Sequence, residues 1–182
     1  KGDKNTNYML WVIVGLLCIV LIGFRYEVGG DWDNYLAHLN AVRGRDLNLN
    51  LLLRASYGNA TGYTALNWFA LQLGLGFLAI YFVNTVCAAI FVVGLIKYCQ
   101  KQPMPWVALA VAVPYMVCAV AMGYTRQATA LGFLLWGLSI LRAGNEHKYC
   151  ALILVGCFFH LSLIISLPLM MFTREKILWF YY

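Results

Sequence analysis

The stretch "YTALNWFALQLGLGFLAIYFVNTVCAAIFVVGLIKY", residues 63–98, decides the class of this protein. No Asp, Glu, Lys or Arg occurs between Ala55 and Ile96, and the runs 102–125 and 149–173 lack these residues as well. About 20 mainly apolar residues are enough for a helix to cross a bilayer. Each run can therefore hold at least one crossing, and the sequence predicts an integral membrane protein.

The composition agrees with a membrane protein. The 182 residues are 63% hydrophobic and 11% charged, whereas about a quarter of a soluble domain is charged. The net charge of +6 comes from cations near helix ends, which are typical topology signals, so we expect no nucleic-acid partner. The six cysteines lie in or beside apolar runs without CxxC spacing. We expect neither disulfides nor a metal site, and no cofactor.

The predicted fold is all-α, a polytopic transmembrane helix bundle with an outer interfacial helix. Residues 1–182 form one integral-membrane domain, which we expect to be part of a longer chain. The predicted crossings are 8–24, 63–98, 105–122, 125–142 and 149–171, with an outer loop at 25–62. Pro114 is expected to kink the third crossing.

The segment 63–98 is longer than one perpendicular span. It is either one long tilted helix or a half-helix, broken near residues 74–76 and followed by a full crossing. We favour the break, because the sequence Gly-Leu-Gly, with Asn67 and Gln72 nearby, suits a segment that lines a cavity.

The cations of the short loops predict the orientation of the helices. These cations fall on one side of the predicted crossings, and this side is therefore the cytoplasmic one. They are Lys1, Lys4, Lys97, Lys101, Arg142 and Lys148. The loop 25–62 and the turn before Arg126 then face outward. Arg174 and Lys176 break this pattern.

The outer loop contains "DWDNYLAHLNAVRG", residues 31–44. Gly44 is a typical helix stop. The apolar residues before it have helical spacing; they are Trp32, Tyr35, Leu36, Leu39 and Val42. This pattern predicts an amphipathic helix that lies at the outer membrane interface.

Arg126 begins the fourth crossing in "GYTRQATALG", residues 123–132. An arginine at a helix start adds to the positive end of the helix dipole, which is unfavourable unless an anion binds there. A guanidinium suits a pair of phosphate oxygens, and Tyr124 and Gln127 add hydrogen-bonding groups. The alternative is an arginine that snorkels at the interface.

His160 stands in the apolar segment "CFFHLSLII", residues 157–165. It is either hydrogen-bonded in the bundle core or works as a base or as a donor to an anion. Ser162 and Ser166 can orient it or bond to the backbone. His38 and His147 have polar surroundings and are expected at the surface.

Charged residues also cluster just after the first crossing. Arg25 is followed by three carboxylates, those of Glu27, Asp31 and Asp33. They form either a structural ion-pair network or a site where Arg25 holds an anion and a carboxylate acts as base, with Gly29-Gly30 turning tightly over it.

Four blocks carry a resemblance to a known family: "GFRYEVGGDWDNYLAHL", "GYTALNWFA", "YTRQATALGFLLWGLSI" and "FFHLSLIISLPL". In this order they resemble the EpsG family, the Wzy-like polymerases of bacterial surface polysaccharides. The resemblance implies a glycosyltransferase on the outer face of the bacterial cytoplasmic (inner) membrane. Its donor and acceptor would be glycans linked to undecaprenyl diphosphate, and its product exopolysaccharide, capsule or O-antigen. A flippase and a chain-length regulator are further expected partners.

Together the residues and the resemblance give two sets of site candidates. The catalytic candidates are His160 and Asp31. The candidates for binding diphosphate or glycan are Arg25, Arg126, Gln127, Tyr35 and Tyr124. A transporter or flippase for the same lipid, a glycan ligase and a non-catalytic scaffold are the alternatives.

Overall fold

A computed structural model describes residues 2–55, 60–142 and 144–172. Most of these residues are helical and none of them lies in a strand, which confirms the all-α class. The α-helices are α1 Gly2–Gly23, α2 Trp32–Val42, α3 Leu49–Ala55, α4 Thr61–Gln72, α5 Ala79–Cys99, α6 Pro105–Ala112, α7 Thr125–Ile140 and α8 Glu146–Cys157. A 3-10 turn, Gly76–Leu78, leads into α5; a π-helix, Val113–Ala121, continues α6; and a 3-10 helix, Leu161–Phe172, follows α8.

Two helical segments of the described residues are long and apolar enough to cross a membrane, Asn5–Gly23 and Gly76–Cys99. Pro105–Ala121 and Leu161–Met171 are apolar but shorter. Helix α7 has 16 residues, a length of about 24 Å, whereas a bilayer core is about 30 Å thick. The polytopic bundle with five crossings therefore stays a prediction.

The long apolar segment is interrupted between α4 and α5. Gly74 and Gly76 have φ of 73° and 55°, in the left-handed region that glycine adopts readily. The interruption lies where the sequence favoured a break. At Pro114 the α-helix changes to the wider π form, because proline offers no N–H for the α-helical hydrogen bond.

The segment 149–171, predicted as one crossing, is also interrupted. Helix α8 ends at Cys157, and the 3-10 helix starts at Leu161. The Phe158 carbonyl accepts a hydrogen bond from the Gly62 N–H at 2.8 Å. The start of α4 therefore binds the backbone at the interruption between the two helices. His160 consequently lies between two helices and not in the middle of one.

Side-chain contacts fix the directions of the packed helices. Helix α1 is antiparallel to α5, α7 is parallel to α5, and α8 is antiparallel to α7. The pairs in contact are Gly15 with Ile96, Gly23 with Thr85, Asn84 with Thr125, Phe91 with Gly132, Gly137 with Tyr149 and Phe133 with Gly156. The end of α1 and the start of α7 therefore lie close together, whereas α8 ends against the middle of α7.

Helix α2 forms as the sequence predicted, but protein covers its apolar face. Trp32, Tyr35 and Leu39 are buried in a cluster with residues of α4 and α5, so this face is not available to the membrane interface. His38 was expected at the surface. This is wrong, because His38 is 4% exposed and its ring lies edge-on to the Tyr63 ring at 5.7 Å.

The close approach of α5 and α7 gives a stability prediction. A Cβ on Gly132 would lie 2.5 Å from the Phe91 Cα and 2.8 Å from the Ile90 carbonyl oxygen. We expect Gly132→Ala to lower the free energy of unfolding by about 1–3 kcal/mol, because backbone must move to admit the methyl group. Thermal unfolding of the detergent-purified protein measures this. Gly123→Ala is the control, since a Cβ there meets nothing within 4 Å; equal stability of both variants would contradict the prediction.

Candidate functional site

Arg25 lies under the start of α7 and is 4% exposed. Its Nη1 donates to the Ala121 carbonyl and its Nη2 to the Thr125 hydroxyl, while the guanidinium carbon lies 5.8 Å from the centre of the Tyr35 ring. Burial lowers the pKa of the Arg25 guanidinium, and the nearby Tyr35 and Tyr63 hydroxyls oppose this shift. Within the described residues Arg25 therefore forms no ion pair with the three carboxylates, which was one of the two alternatives for this cluster; it binds the turn before α7.

Tyr35 binds the same turn from α2. Its side chain is fully buried, and its hydroxyl donates to the Gly123 carbonyl at 3.3 Å and accepts from the Thr125 N–H at 2.7 Å. The first N–H groups of a helix lack partners within the helix, so Tyr35 caps α7. Burial raises the pKa of the Tyr35 hydroxyl, which keeps its proton available for donation. Substrate binding by Tyr35 stays a prediction.

The loop between α1 and α2 packs directly on the turn before α7. Gly29 has φ of 98°, and a Cβ there would lie 2.6 Å from the Met122 carbonyl oxygen and 2.8 Å from the Gly123 Cα. Only glycine fits both this conformation and this distance. The tight backbone turn expected at Gly29-Gly30 thus serves to place the loop against the start of α7.

The capping bonds of Tyr35 give a second prediction. Tyr35→Phe removes the hydroxyl and leaves the buried Thr125 N–H without its partner. We expect a loss of about 1–3 kcal/mol in the free energy of unfolding, measured by thermal or denaturant unfolding in detergent. Tyr124→Phe is the matched control, because Tyr124 is 46% exposed. A Tyr35→Phe protein as stable as this control would show that the cap adds nothing.

Arg126 projects from the first turn of α7 and pairs with Asp31. Its Nη2 lies 3.9 Å from Asp31 Oδ2, and both side chains are 23% exposed. Asp31 Oδ1 accepts a hydrogen bond from Asn34 Nδ2 at 3.1 Å. A long, partly solvated ion pair contributes little stability. A phosphate oxygen could therefore replace the carboxylate on Arg126 at small cost.

His160 lines a cavity of about 620 Å³ between α7, the π-helix and the last 3-10 helix. Its Nδ1 lies 2.7 Å from the Ser162 Oγ, and Gln127, the residue after Arg126, lines the same cavity. The polar residues of the lining are Gln127, His160, Ser162 and Ser166, and most of the remaining surface is apolar. A mostly apolar cavity with a few polar groups suits an amphipathic molecule.

The profile of the EpsG family matches residues 8–182. The chain belongs to the EpsG family. EpsG is a Wzy-like polysaccharide polymerase family, and membership with the apolar helices marks a membrane protein of polysaccharide biosynthesis. The family points to a polysaccharide polymerase that is a glycosyltransferase and implies a lipid-linked glycan as substrate. No curated protein and no solved structure shows significant similarity to the chain.

The structure of this EpsG protein divides the candidate residues into two groups. Arg126 pairs with Asp31 at the start of α7, Gln127 and His160 line one cavity, and Tyr124 is exposed just before the helix. Arg25 and Tyr35 are buried and form hydrogen bonds with the turn that precedes α7. Ser162 contacts His160, whereas Ser166 donates to the Leu163 carbonyl at 2.7 Å, so the two serines do different things.

Sequence reasoning missed a buried polar seam between α5 and α7. The Thr125 hydroxyl donates to Asn84 Oδ1 at 3.2 Å, and Thr129 donates to the Thr125 carbonyl at 2.8 Å. Asn84 and Thr129 are fully buried. A lone amide in the apolar stretch around Asn84 was the available signal, because such a group needs a partner inside the protein. Within the described ranges, no group of His, Cys, Asp or Glu could hold a metal ion.

Proposed function

We propose that this EpsG protein polymerises oligosaccharide repeat units linked to undecaprenyl diphosphate into a surface polysaccharide. The reaction takes place on the outer face of the bacterial cytoplasmic membrane. One observation carries the proposal: Arg126, in a weak pair with Asp31, directly precedes Gln127, which lines the same mostly apolar cavity as His160.

Arg126 binds the diphosphate of the donor. The negative charge on the diphosphate grows as the bond to the sugar breaks, and a preorganised guanidinium stabilises this charge. Without substrate, Asp31 pairs with the Arg126 guanidinium. Gln127, the next residue of α7, adds an amide donor. The start of α7 contributes the positive end of its dipole.

His160 accepts the proton of the acceptor hydroxyl. The acceptor oxygen bonds to the anomeric carbon of the donor, and the bond from this carbon to the diphosphate oxygen breaks. The proton moves to His160, and the lipid diphosphate leaves with the bonding electrons. Because His160 lines the same cavity as Gln127 from the first turn of α7, it can reach a group bound at the start of that helix. The apolar remainder of the cavity suits the lipid.

The test is the size distribution of lipid-linked glycans in cells with and without the gene. A polymerase predicts that loss of the gene removes the ladder of long chains while single repeat units on the lipid remain. A flippase predicts that lipid-linked units accumulate on the cytoplasmic side. A ligase predicts that long chains persist on the lipid but do not reach their final acceptor. Either of the last two results would overturn the proposed activity.

The proposed orientation gives a third prediction. Single cysteines at positions 31 and 126 should react with an impermeant maleimide added to cells, whereas cysteines at 101 and 148 should not. The physical reason is that the helix directions place residues 31 and 126 at the end opposite to Lys101 and Lys148. The background needs its exposed native Cys118 replaced. Labelling at 101 without labelling at 31 would reverse the orientation.

A further inference from the structure

The backbone around His160 is fixed on both sides of the ring. Its N–H donates to the Gly156 carbonyl, and its carbonyl accepts from the Leu163 N–H, both at 3.1 Å. These two bonds fix the backbone from which the His160 side chain projects, at the junction of α8 and the 3-10 helix. Ser162 lies on the first turn of that helix and reaches back to Nδ1 at 2.7 Å.

The direction of this hydrogen bond goes with the position of the ring proton. A neutral imidazole has one N–H donor and one acceptor nitrogen, and a serine hydroxyl can serve either of them. When the Ser162 oxygen accepts from Nδ1–H, Nε2 keeps its lone pair and can accept a proton. The described residues give Nε2 no hydrogen-bond partner, and the ring faces the cavity. Ser162 is exposed, so its own hydroxyl hydrogen can point to water.

We infer that Ser162 is a positioning residue, which holds His160 in the Nδ1–H tautomer with Nε2 directed at the acceptor hydroxyl. The inference rests on the proposed function for the identity of that hydroxyl, but the tautomer itself does not depend on it. In the transfer step the acceptor proton moves to Nε2, Nδ1–H stays bonded to the Ser162 oxygen, and the resulting imidazolium later releases one proton to water.

Ser166 is a matched control for the tautomer. It lines the same cavity on the same helix, yet its hydroxyl donates to the Leu163 carbonyl and not to His160. Removal of the Ser166 hydroxyl changes the polarity of the cavity as much as removal of the Ser162 hydroxyl does. It leaves the Nδ1 contact in place.

The experiment is nitrogen NMR of the full chain, labelled with ¹⁵N-histidine and reconstituted in phospholipid bilayers. Protonated and unprotonated ring nitrogens have well-separated shifts, and His160→Gln assigns the His160 signals. We expect the Nδ1–H tautomer in the unchanged protein and in Ser166→Ala. In Ser162→Ala we expect the Nε2–H form to gain population, and Ser162→Thr should restore the original tautomer. An Nε2–H tautomer in the unchanged protein, or no change in Ser162→Ala, would overturn the inference.

Polymer synthesis by membranes supplied with lipid-linked repeat units gives the second readout. We expect Ser162→Ala to lower the rate at saturating substrate about tenfold with KM unchanged, because only the base is misaligned. Ser139→Ala, whose hydroxyl bonds to the Trp136 carbonyl at 2.6 Å, should not alter the rate. If membranes with the unchanged protein or any variant make no polymer, while the tautomer still depends on Ser162, then the proposed function fails and the orienting role of Ser162 stands. If Ser162→Ala leaves the rate unchanged, the base does not need Ser162.

Discussion

Replacement of His160 by glutamine is expected to remove long polymer from cells while the protein accumulates normally in the membrane. Glutamine keeps a hydrogen-bonding side chain of similar reach but cannot take up a proton near neutral pH. A general base contributes about 10²–10⁴-fold to a rate, so polymer should fall at least about 100-fold. Gel analysis of extracted lipid-linked glycans, with protein level followed by immunoblot, measures both effects.

The control for this substitution is His147→Gln, since His147 is exposed at the start of α8. It should make polymer at the level of the unchanged protein. A well-expressed His160→Gln protein with near-normal polymer would show that His160 is a structural donor. In that case His160→Ala should mainly lower the amount of protein, and the site would be reduced to Arg126 and Asp31.

Replacement of Arg126 by lysine is the second change with a large expected effect. Lysine keeps the positive charge but loses the planar fork, which can bind two phosphate oxygens at once. The loss of one such preorganised donor lowers a rate by about 10²-fold, so we expect polymer to fall by about this factor at normal protein level. The same glycan extraction measures it, with single repeat units on the lipid as the species that remains.

Two comparisons separate this role of Arg126 from a structural one. Arg142→Lys changes an exposed arginine at the other end of α7 and should leave polymer unchanged. Asp31→Asn removes the ion-pair partner but not the guanidinium. If the ion pair only stabilised the fold, Asp31→Asn would lower stability, whereas Arg126→Lys, which keeps the charge, would keep its activity. Full polymer from Arg126→Lys would show that point charge or snorkelling is sufficient.

The amino-acid sequence by itself determined the all-helical class, because local hydrophobicity and helical spacing need no knowledge of distant residues. It predicted helix α2 from the spacing of Trp32, Tyr35 and Leu39, and it predicted the glycine turn at Gly29. Four quoted blocks also identified the EpsG family. Each of these conclusions depends on residues that are close together along the chain.

The tertiary structure decided what each polar side chain contacts. Arg25 stands next to three carboxylates in the sequence, yet its guanidinium binds Ala121 and Thr125, about a hundred residues away. His38 lies in a polar stretch, but α4 packs over it. Such outcomes depend on which helices approach closely, and glycines such as Gly132 set that approach. Burial that results from packing leaves no local signal in the sequence. The sequence could therefore single out Arg25 and Tyr35 as candidates but could not predict their contacts with the turn before α7.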